Sequence, residues 1–168
     1  SIKEDINLEK RVSITPETAK NIIAIGLSVN LEKNYATHLG IEDKQYIDNG
    51  VKFFSSSKEV IHNSSLILKV NCPTDEEIKV LKEKTILVGI FNPSKNQDKL
   101  KEVIKKNINV FSLELLPRIS RAQSMDVLSS QSNLAGYRAV IESIYEFEKA
   151  VPMMMTAAGT VPAAKVLI

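Results

Sequence analysis

The chain has 168 residues, 43% hydrophobic and 25% charged, and its 22 basic and 20 acidic residues give a net charge of +2. This composition is typical of one globular domain with room for part of a second, and the balanced charge argues against nucleic-acid and lipid-surface binding. One cysteine, Cys72, excludes an internal disulfide framework, and with only two histidines it also excludes a Cys/His metal centre.

Helical segments and short β-branched segments alternate from the start of the chain. Thr15 followed by Pro16 predicts a helix start, and Gly26 predicts the end of that helix. The residues of this helix that we expect to face a core are Ile22, Ile23 and Ile25. After it we predict a strand at 28–32, a helix at 42–49, a strand at 51–54 and a helix at 57–63.

The next stretch repeats this alternation with more strongly apolar strands. Thr74 and Glu77 have the spacing of a capping box, which predicts a helix from there to Lys82. The other predicted elements are strands at 65–70, 85–91 and 109–113 and a helix at 96–106. Continuous apolar strands separated by helices predict an α/β fold, a Rossmann-like (flavodoxin-like) parallel sheet with helices on both faces.

The pattern changes after residue 113. We predict a loop at 114–126, then the longest helix at 126–150, ended by Pro152 and followed by a linker and a strand beginning at Lys165. The apolar residues that define this helix are Leu134, Tyr137, Ile141, Ile144 and Tyr145. We therefore expect an N-terminal α/β lobe at 1–125, a connecting helix at 126–150, and at 151–168 the hinge and first strand of a truncated second lobe.

The predicted loop and the start of the long helix hold the densest group of polar side chains. Arg118 offers a planar fork of donors for a carboxamide or phosphate, and Gln123 can both donate and accept. Asp126 could orient Arg118 or cap the helix, and Ser129 lies one turn further on. The alternative is a solvated loop with an ordinary helix cap.

Three stretches resemble one enzyme superfamily: residues 118–140 (RISRAQSMDVLSSQSNLAGYRAV), 11–18 (RVSITPET) and 155–162 (MTAAGTVP). They are similar to the alpha subunit, domain I, of proton-translocating NAD(P) transhydrogenases and to the related alanine dehydrogenases. The resemblance implies that NAD(H) binds in a cleft between two Rossmann-like lobes. It implies that Arg118, Gln123 and Asp126 approach the nicotinamide as catalytic and cofactor-binding residues, with Ser129 nearby.

Two further cations enter through the same resemblance. In alanine dehydrogenases, residues that match Arg11 and Lys69 hold the carboxylate of the substrate, so we count both as candidate ligand-binding residues. Lys69 also lies near the end of the predicted strand at 65–70, and ligands of open parallel sheets bind outside the carboxyl ends of strands. The alternatives are a surface arginine and a lysine whose apolar stem is buried.

The resemblance also sets expectations for the whole protein. We expect hydride transfer between NAD(H) here and NADP(H) on a partner domain, coupled to proton translocation by a membrane partner, in a homodimer. The expected location is the cytoplasmic side of the inner membrane, or alternatively the mitochondrial matrix. The glycine-rich phosphate-binding turn is expected directly after Ile168, so we expect truncated ends and a chain that by itself binds NADH weakly and is inactive.

Two other functions stay open at this point: an alanine (amino-acid) dehydrogenase and a non-catalytic assembly fragment. Alanine oxidation needs a general acid/base, which is a histidine in the alanine dehydrogenases that this chain resembles. The matching position here is Asn92, which cannot shuttle a proton. Hydride transfer between two nicotinamides moves no substrate proton and needs only orientation and close approach, so Asn92 favours the transhydrogenase.

Overall fold

The computed structural model describes residues 1–167, which form two compact units divided between Met125 and Asp126. The first unit is an α/β structure, which confirms the predicted fold class. Its elements are α1 (Pro16–Ala24), β1 (Asn30–Glu32), α2 (Asp43–Ile47), β2 (Lys52–Phe54), α3 (Ser57–His62), β3 (Leu66–Leu68), α4 (Asp75–Val80), β4 (Ile86–Gly89), α5 (Gln97–Lys105) and β5 (Asn109–Ser112).

All strand pairs of this unit are parallel, and they form two short sheets. β1 pairs with β2, and β4 lies between β3 and β5. Ser1 bridges the two sheets, because its backbone nitrogen donates to the Asn30 carbonyl at 2.7 Å and its hydroxyl donates to the Leu68 carbonyl at 2.6 Å. The N-terminal residues therefore connect the edge of one sheet to the edge of the other.

Each sheet has its own apolar core. The core beside β3, β4 and β5 contains Ile67 and Leu87, with Phe91 and side chains from the adjacent helices. The core beside β1 and β2 is built around Tyr46, which is fully buried and donates its hydroxyl to the Ile14 carbonyl at 2.9 Å. Tyr35 contacts the Tyr46 ring edge to face, at a centroid distance of 6.0 Å.

The local signals for helix starts are confirmed. The Thr15 side chain caps α1, with Pro16 as the first helical residue, and Thr74 and Glu77 form the predicted capping box at α4. Ile25 was wrongly predicted to face a core: it follows the last residue of α1 and is 74% exposed. The strands are three or four residues long and shorter than predicted, and Leu66, predicted as part of a buried strand, is exposed.

The predicted loop at 114–126 is more regular than expected. It contains two 3₁₀ helices, Leu113–Leu115 and Ser120–Met125, separated by Pro117. A third 3₁₀ helix, Thr37–Leu39, lies between β1 and α2. Residues 113–125 follow β5 directly and include Arg118, so we refer to them as the Arg118 loop.

Within residues 126–167, the second unit contains one long helix and one hairpin. Helix α6 (Val127–Phe147) ends at Glu148, which has a left-handed φ of 52°, so the helix stops before Pro152. The predicted linker contains the antiparallel strands β6 (Met154–Thr156) and β7 (Gly159–Val161). Residues 165–167 form no strand, which corrects the prediction, and Ile168 lies outside the described residues.

The apolar residues of α6 are not buried. Tyr137 is 70% exposed and Leu134 60% exposed, although both belong to the apolar pattern that predicted this helix. Helical periodicity reports which residues share a face and leaves open what covers that face. Across residues 1–167, no helix is both long enough and apolar enough to cross a membrane.

Candidate functional site

Lys69 lies directly after β3 and is almost completely buried, with 4% of its side chain exposed. Its ammonium is 2.5 Å from Glu77 Oε2. The same carboxylate oxygen accepts the Thr74 backbone N–H at 2.8 Å, so the capping box of α4 also supplies the counter-ion of Lys69. A buried ammonium needs such a partner, because an unpaired charge away from water is strongly unfavourable.

Glu4 adds a second carboxylate to this group. Its Oε1 accepts the Val70 backbone N–H at 2.6 Å. Burial raises the pKa of Glu4, while the charge of Lys69 and the backbone amides of Val70 and Asn71 act in the opposite direction. The end of β3 therefore has one buried ammonium paired with Glu77, and a second carboxylate, Glu4, that interacts with it electrostatically.

Arg11 is held by a neighbouring acid. Its Nε and one terminal nitrogen donate to the two oxygens of Glu9, at 2.8 and 2.6 Å. The hydrogen bond from Arg11 lowers the pKa of Glu9, and the same bond raises the pKa of Arg11. Glu4 also acts electrostatically on Arg11, so Glu4 lies within reach of both predicted cations.

Arg118 and Gln123 have a different environment. Both side chains are exposed, and within the described part of the chain neither makes a hydrogen bond or ion pair. Their backbone is nevertheless anchored, because Ala122 between them is only 6% exposed and its N–H donates to the Ile119 carbonyl at 2.9 Å. The loop thus presents a guanidinium and a carboxamide to solvent from a fixed turn.

Asp126 and Ser129 belong to the second unit and contact each other. Asp126 Oδ1 accepts the backbone N–H groups of Leu128 and Ser129, both at 3.0 Å, and its Oδ2 accepts the Ser129 hydroxyl at 2.6 Å. Asp126 is therefore the N-cap of α6, one of the two roles considered for it. Of the six predicted residues, Asp126 and Ser129 contact each other directly. Arg11 and Lys69 both interact electrostatically with Glu4. Arg118 and Gln123 share the exposed Arg118 loop.

Sequence reasoning did not single out one residue near these groups, Glu114. Its Oε1 accepts the backbone N–H of Asn92, whose φ of 45° is left-handed. Its Oε2 is buried and has no hydrogen-bond partner among residues 1–167, and the same holds for the Ser112 hydroxyl. The signal in the sequence is one acid in the otherwise apolar run Leu113–Leu116, shortly before Arg118.

A cavity of the first unit lies beside β5 and the Arg118 loop. It has a volume of about 800 Å³ and is lined by side chains of β3, β4, β5 and α5 and by four residues of the Arg118 loop, and Ser112 of β5 is the one polar residue that residues 1–167 contribute to the lining. None of the six predicted residues lines it. Within the described chain the cavity is lined by no charged residue, so it offers a nucleotide phosphate no partner, and its lining is better suited to an apolar group.

The histidines and the cysteine have ordinary structural environments. His62 is exposed at the end of α3, and His38 Nε2 lies 2.8 Å from the Lys10 carbonyl. Cys72 is half-buried and packs against the core beside β3, β4 and β5, and this burial raises the pKa of its thiol. A raised thiol pKa lowers nucleophilicity at neutral pH, so Cys72 is a poor candidate for catalysis.

Comparison with known proteins gives consistent similarities. The family model described as "Alanine dehydrogenase/PNT, N-terminal domain" matches residues 2–135. An NAD(P) transhydrogenase alpha-subunit protein of Rickettsia prowazekii is 44% identical over 100% of this chain and 45% of that protein. The alanine dehydrogenase of Methanococcus maripaludis is 28% identical over 82% of this chain and 36% of that protein.

One solved structure extends this similarity to three dimensions. The crystal structure of a transhydrogenase from Sinorhizobium meliloti superposes with a TM-score of 0.88 at 39% identity, covering 98% of this chain and 50% of that one. The chain thus spans about half the length of the relatives it matches.

Proposed function

The chain belongs to the family of alanine dehydrogenase/PNT N-terminal domains, and from this premise we propose that it is the NAD(H)-handling lobe of a proton-translocating NAD(P) transhydrogenase. The enzyme transfers a hydride between NAD(H) bound here and NADP(H) bound on a partner domain, and a membrane partner couples the transfer to proton movement. The relatives named as transhydrogenase subunits are more similar to this chain than those named as alanine dehydrogenases, which supports the proposal.

The observation that carries the proposal is the exposed pair Arg118 and Gln123 on an anchored turn. A guanidinium donates hydrogen bonds, and a carboxamide both donates and accepts them, so the pair fits the carboxamide of a nicotinamide ring. NAD(H), when bound, supplies the hydride chemistry at that ring. The chain's own residues contribute orientation: in this proposal Arg118 and Gln123 fix the rotation of the ring, and Asp126 and Ser129 stay predicted cofactor-binding residues on the strength of the resemblance.

Asn92 supports a transhydrogenase over an alanine dehydrogenase. It follows β4 at the position where the resembling alanine dehydrogenases have a histidine, and its amide cannot take up or release a proton near neutral pH. Imine chemistry needs such a group, whereas hydride transfer between nicotinamides needs none.

Arg11 and Lys69 as ligand-binding residues stay a prediction. A ligand anion must compete with Glu9 for Arg11 and with Glu77 for Lys69, because both cations already have carboxylate partners. Lys69 is also buried, so direct contact with a ligand requires the side chain to become accessible first. We therefore give Arg118 and Gln123 the larger share of cofactor contact.

The proposal extends to assembly and location. NADP-binding and membrane-spanning subunits or domains are the partners that the reaction requires, and a homodimer at the cytoplasmic side of the inner membrane, or in the mitochondrial matrix, is the proposed arrangement. The relatives' names specify a subunit alpha, which implies other subunits in those proteins.

The decisive experiment measures two reactions on the full-length polypeptide assembled with its partner subunits. Reduction of an oxidised NADP analogue by NADH is expected at ordinary enzyme rates, roughly 1 per second or more. Oxidation of alanine with NAD is expected to be absent. Alanine turnover without transhydrogenation would establish the dehydrogenase, and neither activity with intact assembly would establish a structural role.

A further inference from the structure

The carboxyl ends of β4 and β5 hold a small group of buried polar atoms that none of the roles above uses. Gly89 of β4 and Ser112 of β5 are register partners, so the two strand ends are adjacent. Glu114 follows β5 and binds the Asn92 backbone N–H beyond the end of β4. Its second carboxylate oxygen and the Ser112 hydroxyl are buried without partners among the described residues.

The unpartnered carboxylate oxygen of Glu114 is expected to destabilise the folded state, so stability alone does not explain a glutamate at this position. A buried polar atom without a hydrogen-bond partner is destabilising, and native proteins contain few of them. Asn92 has a left-handed φ of 45°, a conformation that asparagine adopts more readily than most other non-glycine residues. An apolar side chain at position 114 would remove the orphan oxygen and continue the neighbouring run of leucines.

The location of Glu114 gives this arrangement a purpose. Glu114 is part of the 3₁₀ helix Leu113–Leu115, and Arg118 follows four residues later in the same loop. The ends of adjacent parallel strands are where open α/β sheets bind ligands. The hydrogen bond to Asn92 ties the first turn of the Arg118 loop to the neighbouring strand end.

We propose that Glu114 is a positioning residue, which fixes the Arg118 loop against the end of β4 through the Asn92 amide. It acts on the nicotinamide through Arg118 and Gln123 and does not touch the cofactor itself. The effect on hydride transfer rests on the proposed function. The hydrogen bond between Glu114 and the Asn92 N–H, which we call the Glu114 clamp, is a property of the loop whether or not the protein transfers hydride.

The test compares Glu114→Gln with Glu114→Leu in the full-length protein. The glutamine keeps an acceptor oxygen for the Asn92 N–H, whereas the leucine removes it and also removes the orphan oxygen. In the assembled enzyme, single-turnover hydride transfer should fall about 10-fold or more in Glu114→Leu, because small misplacements of reacting groups are costly. Its NADH affinity and melting temperature should stay close to wild type, and Glu114→Gln should retain most of the transfer rate.

Amide hydrogen exchange separates this inference from the proposed function. Exchange at Asn92 and in residues 118–125 should accelerate in Glu114→Leu and stay near wild type in Glu114→Gln, whether or not the protein transfers hydride. Unchanged exchange in Glu114→Leu would overturn the Glu114 clamp. An equal loss of transfer and thermal stability in both variants would also overturn it, since that pattern indicates a requirement for the charge in folding. Absence of hydride transfer in the wild type with altered exchange would reject only the proposed function.

Discussion

At the scale of single residues, the two kinds of candidate cation differ in how much of their bonding capacity is already used. Lys69 and Arg11 are engaged with Glu77 and Glu9, and Lys69 is buried as well. Arg118 is exposed on an anchored loop, and with Gln123 it keeps its donors available to a ligand. Hydrogen-bond donors that are available to a ligand are what orientation of a planar carboxamide requires.

Arg118→Ala and Gln123→Ala test this difference. In the assembled enzyme each should slow single-turnover hydride transfer by roughly one to three orders of magnitude, because the nicotinamide loses its fixed rotation. NADH affinity, measured by equilibrium titration, should change less. Arg121→Ala is the matched control, since Arg121 is exposed on the same turn, and it should transfer hydride at nearly the wild-type rate. An unchanged rate of hydride transfer in both Arg118→Ala and Gln123→Ala would show that the loop only connects β5 to α6 and does not bind the nicotinamide.

Glu4 provides a pH-dependent test of the group at the end of β3. Burial raises the pKa of Glu4 above its ordinary value of 4.5. The folded state therefore favours the protonated carboxyl of Glu4. The stability that this protonated carboxyl contributes to the folded protein is fully present below the ordinary pKa, and it is lost as pH rises through the raised pKa. Glu4→Gln keeps the acceptor for the Val70 N–H and removes the ionisation. The variant should gain stability relative to wild type as pH rises from about 4 to about 7.

Denaturant unfolding of both proteins at several pH values in this range measures the effect. Lys69 retains Glu77 in the variant, so its buried charge stays paired. A stability difference that is constant with pH would contradict the assignment, because an unshifted or exposed carboxyl produces no such dependence.

At the scale of elements, the residue type at the end of β4 is determined by how closely Gly89 packs against its neighbours, more than by strand propensity. A Cβ at Gly89 would lie 2.5 Å from the Phe91 ring and also against the Lys69 carbonyl oxygen. Phe91 is fully buried in the core, and the backbone of Lys69 is held by the neighbouring strand. Neither neighbour can move away easily, so glycine is required here by packing.

Gly89→Ala should therefore destabilise the protein by about 3 kcal/mol, the upper part of the range for overpacked cores. Gly136→Ala is the control: Gly136 lies within α6, and a Cβ added there would meet nothing within 4 Å, so alanine should stabilise the helix by about 0.5–1 kcal/mol. Thermal and urea unfolding measure both. A tolerated Gly89→Ala would show that β4 and Phe91 can separate without cost.

At the scale of the whole molecule, the N-terminal residues join the two sheets of the first unit into one body. The Ser1 hydroxyl lies 2.9 Å from the Tyr35 hydroxyl and 2.7 Å from the Ser13 hydroxyl, in addition to its bond with the Leu68 carbonyl. Tyr35 is 3% exposed and belongs to the core beside β1 and β2. This buried hydroxyl network thus connects the two sheets through polar groups that only a folded structure brings together.

Tyr35→Phe removes one member of the network and keeps the ring packing. It should lower the free energy of unfolding by about 1–2 kcal/mol, because the Ser13 N–H and the two serine hydroxyls lose a buried partner. Tyr137→Phe is the control, since Tyr137 is 70% exposed, and its effect should be within about 0.5 kcal/mol. Equal effects of the two substitutions would show that the network contributes no net stability.

The sequence by itself determined the fold class, the helix starts and the position of the polar loop. These features depend on local patterns: the capping box of Thr74 and Glu77, the Thr15–Pro16 helix start, and the alternation of apolar strands with helices. The family resemblance of residues 118–140 is confirmed by the match to residues 2–135. The roles of the individual site residues stay predictions.

Only the tertiary structure decided which distant groups meet. Glu4 binds the Val70 amide 66 residues away, and Glu114 binds that of Asn92 22 residues away. Hydropathy and capping patterns operate over one or two helical turns, whereas these pairs depend on strand register and on how the chain packs. The exposure of Ile25 and the burial of Lys69 were decided in the same way, because what covers a side chain comes from elsewhere in the fold.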